Sequence, residues 1–494
     1  MTYDAAIIGA GPSGLAAGIR LAHFGAKVCV FERHNRVGGL NSYYRKQGRD
    51  YDVGLHALTN YPPKGAKSAP WPKLLRQLRL RGEDFDLRPQ RYSEIRFPGK
   101  TLRFTNDFAF FLEQVACEFP RQADNFRRFV ESLPPYEAFA SESGAPTARQ
   151  VLAAYLTDPL LIEMVMCPVC YYGCATENDM DFVQYAVLFR SIFLEGFSRP
   201  RGGIRAFLQI LTRKYKESGG ELRLKHGVRK IHPSPSGPAT LTLDNGEEVE
   251  AKAVFSSAGY PETMALCARE DAGTGERKSP GESAGGGGLD RVGQIGRMSF
   301  VEGICSLDAA PAELGHETTI VFFSLLDRFA YRRPGQLADF SSGVLCCPGN
   351  FLRDGGGEGS PEENMLRMSY QANYGLWKAL PSQRYAQEKN EVLQQSLETA
   401  AKFVPDFRSH VAATDVITPL TVERFTGRLG GAIYGSPVKS PQGLTPYPNV
   451  FVCGADQGLV GIVGAMLSGV TMANSHVIYK NHAVPSDASA VSGA

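Results

Sequence analysis

The residues most able to do chemistry in this 494-residue chain lie in Gly9-Ala10-Gly11-Pro12-Ser13-Gly14, between the apolar run Tyr3–Ile8 and the segment Leu15-Ala16-Ala17-Gly18-Ile19-Arg20-Leu21. A strand that ends in GxGxxG and opens a helix is a cradle for a diphosphate. The glycines allow a tight turn and close backbone approach, and the helix N-terminus offers free N–H groups and a partial positive charge. A second apolar run, Lys27-Val28-Cys29-Val30-Phe31, closes on Glu32, 18 residues after Gly14. A carboxylate there can accept hydrogen bonds from both ribose hydroxyls and repels a 2′-phosphate, which argues against NADP. A glycine-rich surface turn alone would not bring the strand, the helix and the acid together, so residues 3–39 are read as a dinucleotide-binding βαβ unit.

Beyond Glu32 come Arg33-His34-Asn35-Arg36-Val37-Gly38-Gly39 and Tyr51-Asp52-Val53-Gly54-Leu55-His56. The order GxGxxG, Glu-Arg, Gly-Gly, then a strand ending in Asp-x-Gly resembles the amine oxidase and phytoene desaturase superfamily of flavoproteins. The resemblance implies FAD as cofactor. At the far end, Asn449–Cys453 reads as a short buried strand, followed by Gly454-Ala455-Asp456 and by Gly461-Ile462-Val463-Gly464-Ala465-Met466-Leu467-Ser468-Gly469, which opens a helix. In such flavoproteins this strand returns beside the first. The resemblance then implies that the turn holding Gly454 and Asp456 meets the ribityl-phosphate region. The helix starting at Gly461, with Val463 and Gly464, would point its positive end at the flavin, whose reduced form carries negative charge. It also implies that Val228 touches the adenine. The cofactor set expected is Gly9, Gly11, Pro12, Ser13, Gly14, Glu32, Arg33, Gly38, Gly39, Val228, Gly454, Asp456, Gly461, Val463 and Gly464. His56, after the Asp-x-Gly strand, is the candidate catalytic residue, as a proton donor or polar wall beside the flavin; a histidine satisfied by backbone is the competing reading.

These residues need a split scaffold. The expected fold class is α/β, a two-domain flavoprotein with a Rossmann-like FAD-binding domain divided along the chain and an inserted α+β substrate domain. The cofactor domain is expected at 1–61, 199–266 and 425–480. The substrate domain is expected at 62–198, mainly helical, and at 267–424, with flexible glycine-rich loops at 271–288 and 354–363; a disordered tail follows at 481–494. Helical periodicity marks Phe108–Phe119, Asp124–Leu133, Ile204–Ser218 and Pro381–Val404. Met298–Leu307 and Thr318–Leu326 read as strands, and Asp244-Asn245-Gly246 as a hairpin turn.

The C-terminal half sharpens the resemblance. Thr418-Pro419-Leu420-Thr421, Arg424-Phe425, Gly431-Ala432-Ile433-Tyr434-Gly435 and Gly461-Ile462-Val463-Gly464-Ala465 look like the retinol saturase, carotenoid isomerase and carotenoid desaturase branch, as does Gly54-Leu55-His56. This implies a hydrophobic isoprenoid or lipid substrate whose C=C bonds are added, removed or rearranged by hydride exchange with the flavin. Tyr171, Tyr172, Phe182, Tyr185, Phe189, Phe193 and Phe197 are expected to supply a tunnel wall, with ordinary core packing as the alternative for each. Two other readings stay open: an amine or porphyrinogen oxidase, which would need an aromatic cage or a lysine–water pair, and a non-enzymatic prenyl-lipid escort.

Composition sets the remaining bounds. A formal net charge of +2 predicts no nucleic-acid partner. Between Lys64 and Arg103, eleven Lys and Arg face four acids, a stretch that could touch an anionic membrane, although a solvated face is the blander reading. Ten scattered cysteines suit a reducing compartment. A first strand at residue 3 and no run of about 20 uncharged apolar residues predict neither signal peptide nor membrane span. The expected location is cytoplasmic, a peripheral membrane contact through the basic stretch being the alternative to a solvated face. Cys167, Cys170 and Cys174 have ligand-like spacing, but i, i+3, i+7 is also one helix face, their neighbours are apolar, and no histidine or fourth cysteine is near; no metal is expected.

Overall fold

The run Thr2–Ile8 (β1) is apolar except at Thr2 and Asp4 and becomes the buried centre of the parallel part of a mixed sheet. Pro12–His23 (α1) starts on a proline, which tolerates the first helical turn, and returns the chain to Val28–Glu32 (β2) beside β1. This computed structural model describes residues 2–62, 65–67, 69–134, 145–267, 294–352 and 363–479. The expected loops at 271–288 and 354–363 (Glu363 excepted) and the tail lie outside the described residues.

The first sheet runs in the order Val228–His232, Ala239–Leu243, Glu248–Ser256, β1, β2, Glu221–Leu224. Val450–Val452 pairs in parallel with the end of Glu248–Ser256, which lies between it and β1, so segments more than 400 residues apart share one sheet, but the C-terminal strand does not stand beside the first as expected: Glu248–Ser256 takes that place. Ala239–Leu243 and Glu248–Ser256 are a hairpin around Asn245-Gly246. The helix Gly461–Ala473 lies against α1, and Gly469 makes the crossing possible: a Cβ there would stand 2.0 Å from the Ser13 carbonyl oxygen and 3.0 Å from the Ala17 nitrogen. Both obstacles are backbone. Gly469→Ala is therefore expected to force the two helices apart, costing about 1–3 kcal/mol, and to lower both Tm and bound flavin; an unchanged melting curve would contradict this packing.

The second sheet runs Val411–Ile417, Ser299–Leu307, Met365–Ala372, Ala338–Cys346, Ile320–Ser324, Ser93–Phe97, Lys100–Phe104. Its last two strands come from the stretch expected to be helical. Ser93-Glu94-Ile95-Arg96-Phe97 and Lys100–Phe104 flank Pro98-Gly99, a turn pair that ends any helix, and Ile95, Phe97, Leu102 and Phe104 bury one face. Helices from residues 108–194 cover that sheet. Among the described residues, one helical stretch, Gly461–Ile478, is long and apolar enough to cross a membrane by composition, but 56% of it is buried against the rest of the fold. Pro159–Gly173 and Phe182–Phe189 are shorter apolar helices of the substrate-side core.

Candidate functional site

One cleft of about 660 Å³ runs from the carboxyl edge of the first sheet to the face of the second. Of the expected cofactor residues, Gly9, Gly11, Pro12, Ser13, Glu32, Arg33, Gly38, Gly39, Val228, Gly454 and Gly461 line it. Glu32 is held in place by two N–H donors, Ala10 to Oε2 and His34 to Oε1, both at 2.8 Å, which leaves further lone pairs on each oxygen. The helices beginning at Pro12 and Gly461 both open on the cleft, and neither has a side-chain cap, so their first-turn N–H groups are available to an anion. A Cβ added to Gly39 would stand 3.8 Å from the Gly11 Cα, so the two glycine backbones face each other with no side chain between them. A carboxylate at the end of β2, two uncapped helix starts and an open glycine cradle fit FAD. Glu32→Ala is expected to reduce flavin retention roughly tenfold or more through loss of charge-assisted hydrogen bonds; flavin content after gel filtration reads it out.

Four of the expected cofactor residues lie off the cleft. Gly14 acts by its absence of side chain, since a Cβ would meet the Gly9 carbonyl oxygen at 2.1 Å. Val463 is buried in the core and Gly464 packs on Leu459. Asp456 is the substantive correction. It is fully buried, and its carboxylate accepts from the N–H groups of Tyr260 at 2.6 Å and Ser436 at 2.8 Å, with Arg428 at 3.4 Å. It ties three loops together instead of facing the ribityl chain; burial alone would raise its pKa, but Arg428 and Lys439 outweigh burial and hold it down.

At the other end stands His56. Its Nε2 lies 2.7 Å from Glu302 Oε1 and 3.3 Å from Ser369 Oγ. Arg367 grips the same carboxylate twice, Nε to Oε1 at 2.8 Å and Nη2 to Oε2 at 2.7 Å, and donates from Nη1 to the Leu55 carbonyl. Arg199 also donates to Leu55 O and pairs with Asp52. Strand geometry makes this constellation. Glu302 is paired across the sheet with Ser369, and Arg367, two residues earlier on that strand, points to the same face. Burial opposes ionisation of Glu302, yet the Arg367 guanidinium and the His56 hydrogen bond bring its pKa down to about 2. Burial lowers the His56 pKa, outweighing the raising effect of Glu302. Since a carboxylate only accepts, the Nε2 nitrogen carries the hydrogen. Nδ1 meets no hydrogen-bond partner among the described residues, and the ring is part of the cleft wall.

The apolar end is framed by Tyr171, Tyr172, Phe300, Val344, Tyr434 and Val460. Phe300 packs against Tyr171 at 5.8 Å and against Tyr434 at 6.1 Å between ring centroids. Of the aromatic residues expected to wall the tunnel, only Tyr171 and Tyr172 reach it. Tyr185, Phe189, Phe193 and Phe197 are buried with Phe104, Phe111, Phe126 and Phe129, and Phe182 packs beside them, because their helices turn that face towards the second sheet. Glu302, Arg367, Ser369, Phe300 and Tyr434 went unrecognised as site residues. The one signal was an unpaired charge inside otherwise apolar strands, Glu302 in Ser299–Leu307 and Arg367 in Met365–Ala372. Cys167, Cys170 and Cys174 are buried along Pro159–Gly173 and at its end, among apolar neighbours.

The family model for flavin-containing amine oxidoreductases matches residues 12–262. The chain is 24% identical to the chloroplastic prolycopene isomerase 2 of an Oncidium hybrid cultivar, over 96% of this chain and 83% of that one. It is 22% identical to the all-trans-retinol 13,14-reductase of Danio rerio, over 97% and 86%. Among solved structures, an oxidoreductase from Methanosarcina mazei superposes with a TM-score of 0.64 at 18% identity, covering 95% of this chain and 99% of that one.

Proposed function

Because the chain belongs to the flavin-containing amine oxidoreductase family and is an FAD-dependent oxidoreductase, we propose that it acts on the C=C or C–C bonds of a polyisoprenoid or related lipid, by desaturation, saturation or isomerisation. The observation that carries this reading is the pairing of an aromatic, apolar cleft end with one imidazole, His56, as its proton-exchanging group. Relatives named for a polyene isomerase and a retinol reductase, matched along nearly the whole chain, support it.

Bound in the cleft, FAD supplies a two-electron hydride acceptor or donor. The chain's own residues do the rest. Tyr171, Phe300, Val344 and Tyr434 offer dispersion contact and exclude water from the reacting bond. Adding hydrogen across a double bond takes one hydride and one proton, and removing it releases both. His56 is placed to hold that proton on Nδ1, while Glu302 anchors Nε2 and stabilises the imidazolium. Glu302 itself stays ionised under Arg367 and serves as a positioning residue.

A second reading has one observation in its favour. The rings of Tyr171, Tyr172, Phe300 and Tyr434 could cage an alkylammonium by cation–π attraction. The two are separated by mixing the flavoprotein anaerobically, oxidised and reduced, with all-trans-retinol, phytoene, a cis-polyene and simple amines, followed by chromatography of the products. Conversion of a polyene supports the lipid reading; bleaching of the flavin by an amine alone rejects it.

A further inference from the structure

A dinucleotide brings a diphosphate dianion into the cleft, and the cations available to it are few. Among the described residues lining the cleft, only Arg33 and Arg428 carry a permanent positive charge. Arg36 precedes Val37-Gly38-Gly39 but turns away, donating to the Tyr43 carbonyl at 3.1 Å and lying 5.5 Å over that ring. Arg33 packs beside Gly227 and Gly427, on the Val228 side of Glu32. Arg428 follows Gly427 directly in the chain. Its Nη1 covers Gly259, two residues beyond Ser257, whose hydroxyl donates to the carbonyls of Ile8 and Gly9. On its other side are Gly435 and Asp456, next to the Gly454-Ala455 turn. Arg428 thus sits beside the 257–259 loop and the Gly454-Ala455 turn, whose residues Ser257, Ala258, Gly454 and Ala455 line the cleft with Gly9 and Gly11.

The guanidinium is buried, yet it is held loosely. Nη1 is 3.4 Å from Asp456 Oδ2 and 3.9 Å from Glu262 Oε2, both long for a charge-assisted bond. Its Nε and Nη2 meet no acceptor among the described residues. Arg428 is not the sole partner of Asp456, since Tyr260 and Ser436 N–H groups serve both oxygens and Lys439 also faces it. Glu262 accepts from Leu429 N–H at 2.8 Å through Oε1, while its Oε2 is buried without a partner. A guanidinium whose unused donors open on the cleft, beside a carboxylate with one buried oxygen unpartnered, is a site with room for one more anion.

We propose that Arg428 is the counter-charge for the diphosphate of the bound dinucleotide, and that Glu262 takes up a proton from solvent as the diphosphate arrives. The side-chain charges favour it. Arg428 and Lys439 balance Asp456 and Glu262 before binding, and a dianion then leaves the group strongly negative unless one acid is neutralised. Glu262 is the acid that yields: burial raises its carboxyl pKa ahead of the opposing pull of Arg428, whereas Asp456 is held down. By linkage, flavin affinity falls as pH rises through the Glu262 titration. This inference needs only that FAD binds, and is independent of which bond is transformed.

The test is calorimetric titration of the flavin-free full-length protein with FAD, in two buffers of different ionisation heat. Proton uptake on binding is expected for the native chain. Glu262→Gln, which keeps the Leu429 hydrogen bond, is expected to bind FAD at least as tightly without that proton. Arg428→Gln is expected to weaken FAD roughly 10- to 100-fold, the loss of one charge-assisted hydrogen bond, and to leave the affinity for adenosine, which has no diphosphate, unchanged. Flavin binding without proton exchange, uptake that persists in Glu262→Gln, or native FAD affinity in Arg428→Gln would each overturn the proposal. Should Arg428→Gln fail to fold, the proton count of Glu262→Gln decides.

Discussion

His56→Gln is expected to lower turnover on the polyene substrate on the order of 10²- to 10⁴-fold, with flavin content and absorbance unchanged. Glutamine preserves the hydrogen bond to Glu302 but cannot carry a proton between substrate and solvent. The pH profile makes the role distinguishable from packing. Burial holds the His56 pKa below 6.5, so the imidazole is neutral at neutral pH. A reaction that adds hydrogen needs the imidazolium, and its rate should rise as pH falls through that pKa. A reaction that removes hydrogen needs the neutral ring, and its rate should fall over the same range. In either case the limb should vanish in His56→Gln, and the sign of the limb in the native enzyme reports the direction of the reaction. A variant that keeps both rate and limb would assign His56 to the wall alone.

Arg367→Leu is expected to be the most destabilising single change, by about 3–5 kcal/mol at neutral pH, because it leaves the buried Glu302 carboxylate without its cation. The pH dependence follows from signs. In the native chain Glu302 has a depressed pKa, about 2 against 4.5, so its contribution is present above about pH 4.5 and is lost as pH falls towards 2. Without Arg367, burial raises the same pKa against the His56 hydrogen bond alone, and the penalty of the buried charge grows as pH rises. The deficit of the variant should therefore shrink in acid, while the native protein loses stability there. Denaturant unfolding at neutral and acid pH measures both; a deficit that does not change with pH would mean that Arg367 acts through packing alone.

The two ends of this site were unequally legible in the sequence. The cradle is local: strand, glycine turn, helix and acid occur within residues 3–39, and their order states their purpose. The Gly461–Gly469 helix was also readable, because uncapped, small-residue helix starts have a distinct composition. The hairpin 93–104 was missed amid helical periodicity, although Pro98-Gly99 marked it. The expected tunnel wall failed for a different reason. Aromatic residues at helical spacing show that a face is buried, but not whether it is buried against a cleft or against a sheet.

By itself the chain determined that a dinucleotide would bind, since strand, glycine turn, helix and acid are close in sequence and obey short-range geometry; FAD, with His56 beside it, was what the resemblance to a flavoprotein family implied. Only the tertiary structure decided what surrounds that histidine. Glu302 is 65 residues from Arg367, on a different strand, and meets Arg367 and Ser369 because strand register sets it opposite Ser369. It also moved Asp456 from ligand contact to loop anchor and left Arg428 facing the cleft. The physical reason is common to all of these: a charge in an apolar run must find its partner across space, and sequence alone does not say which partner the packing provides.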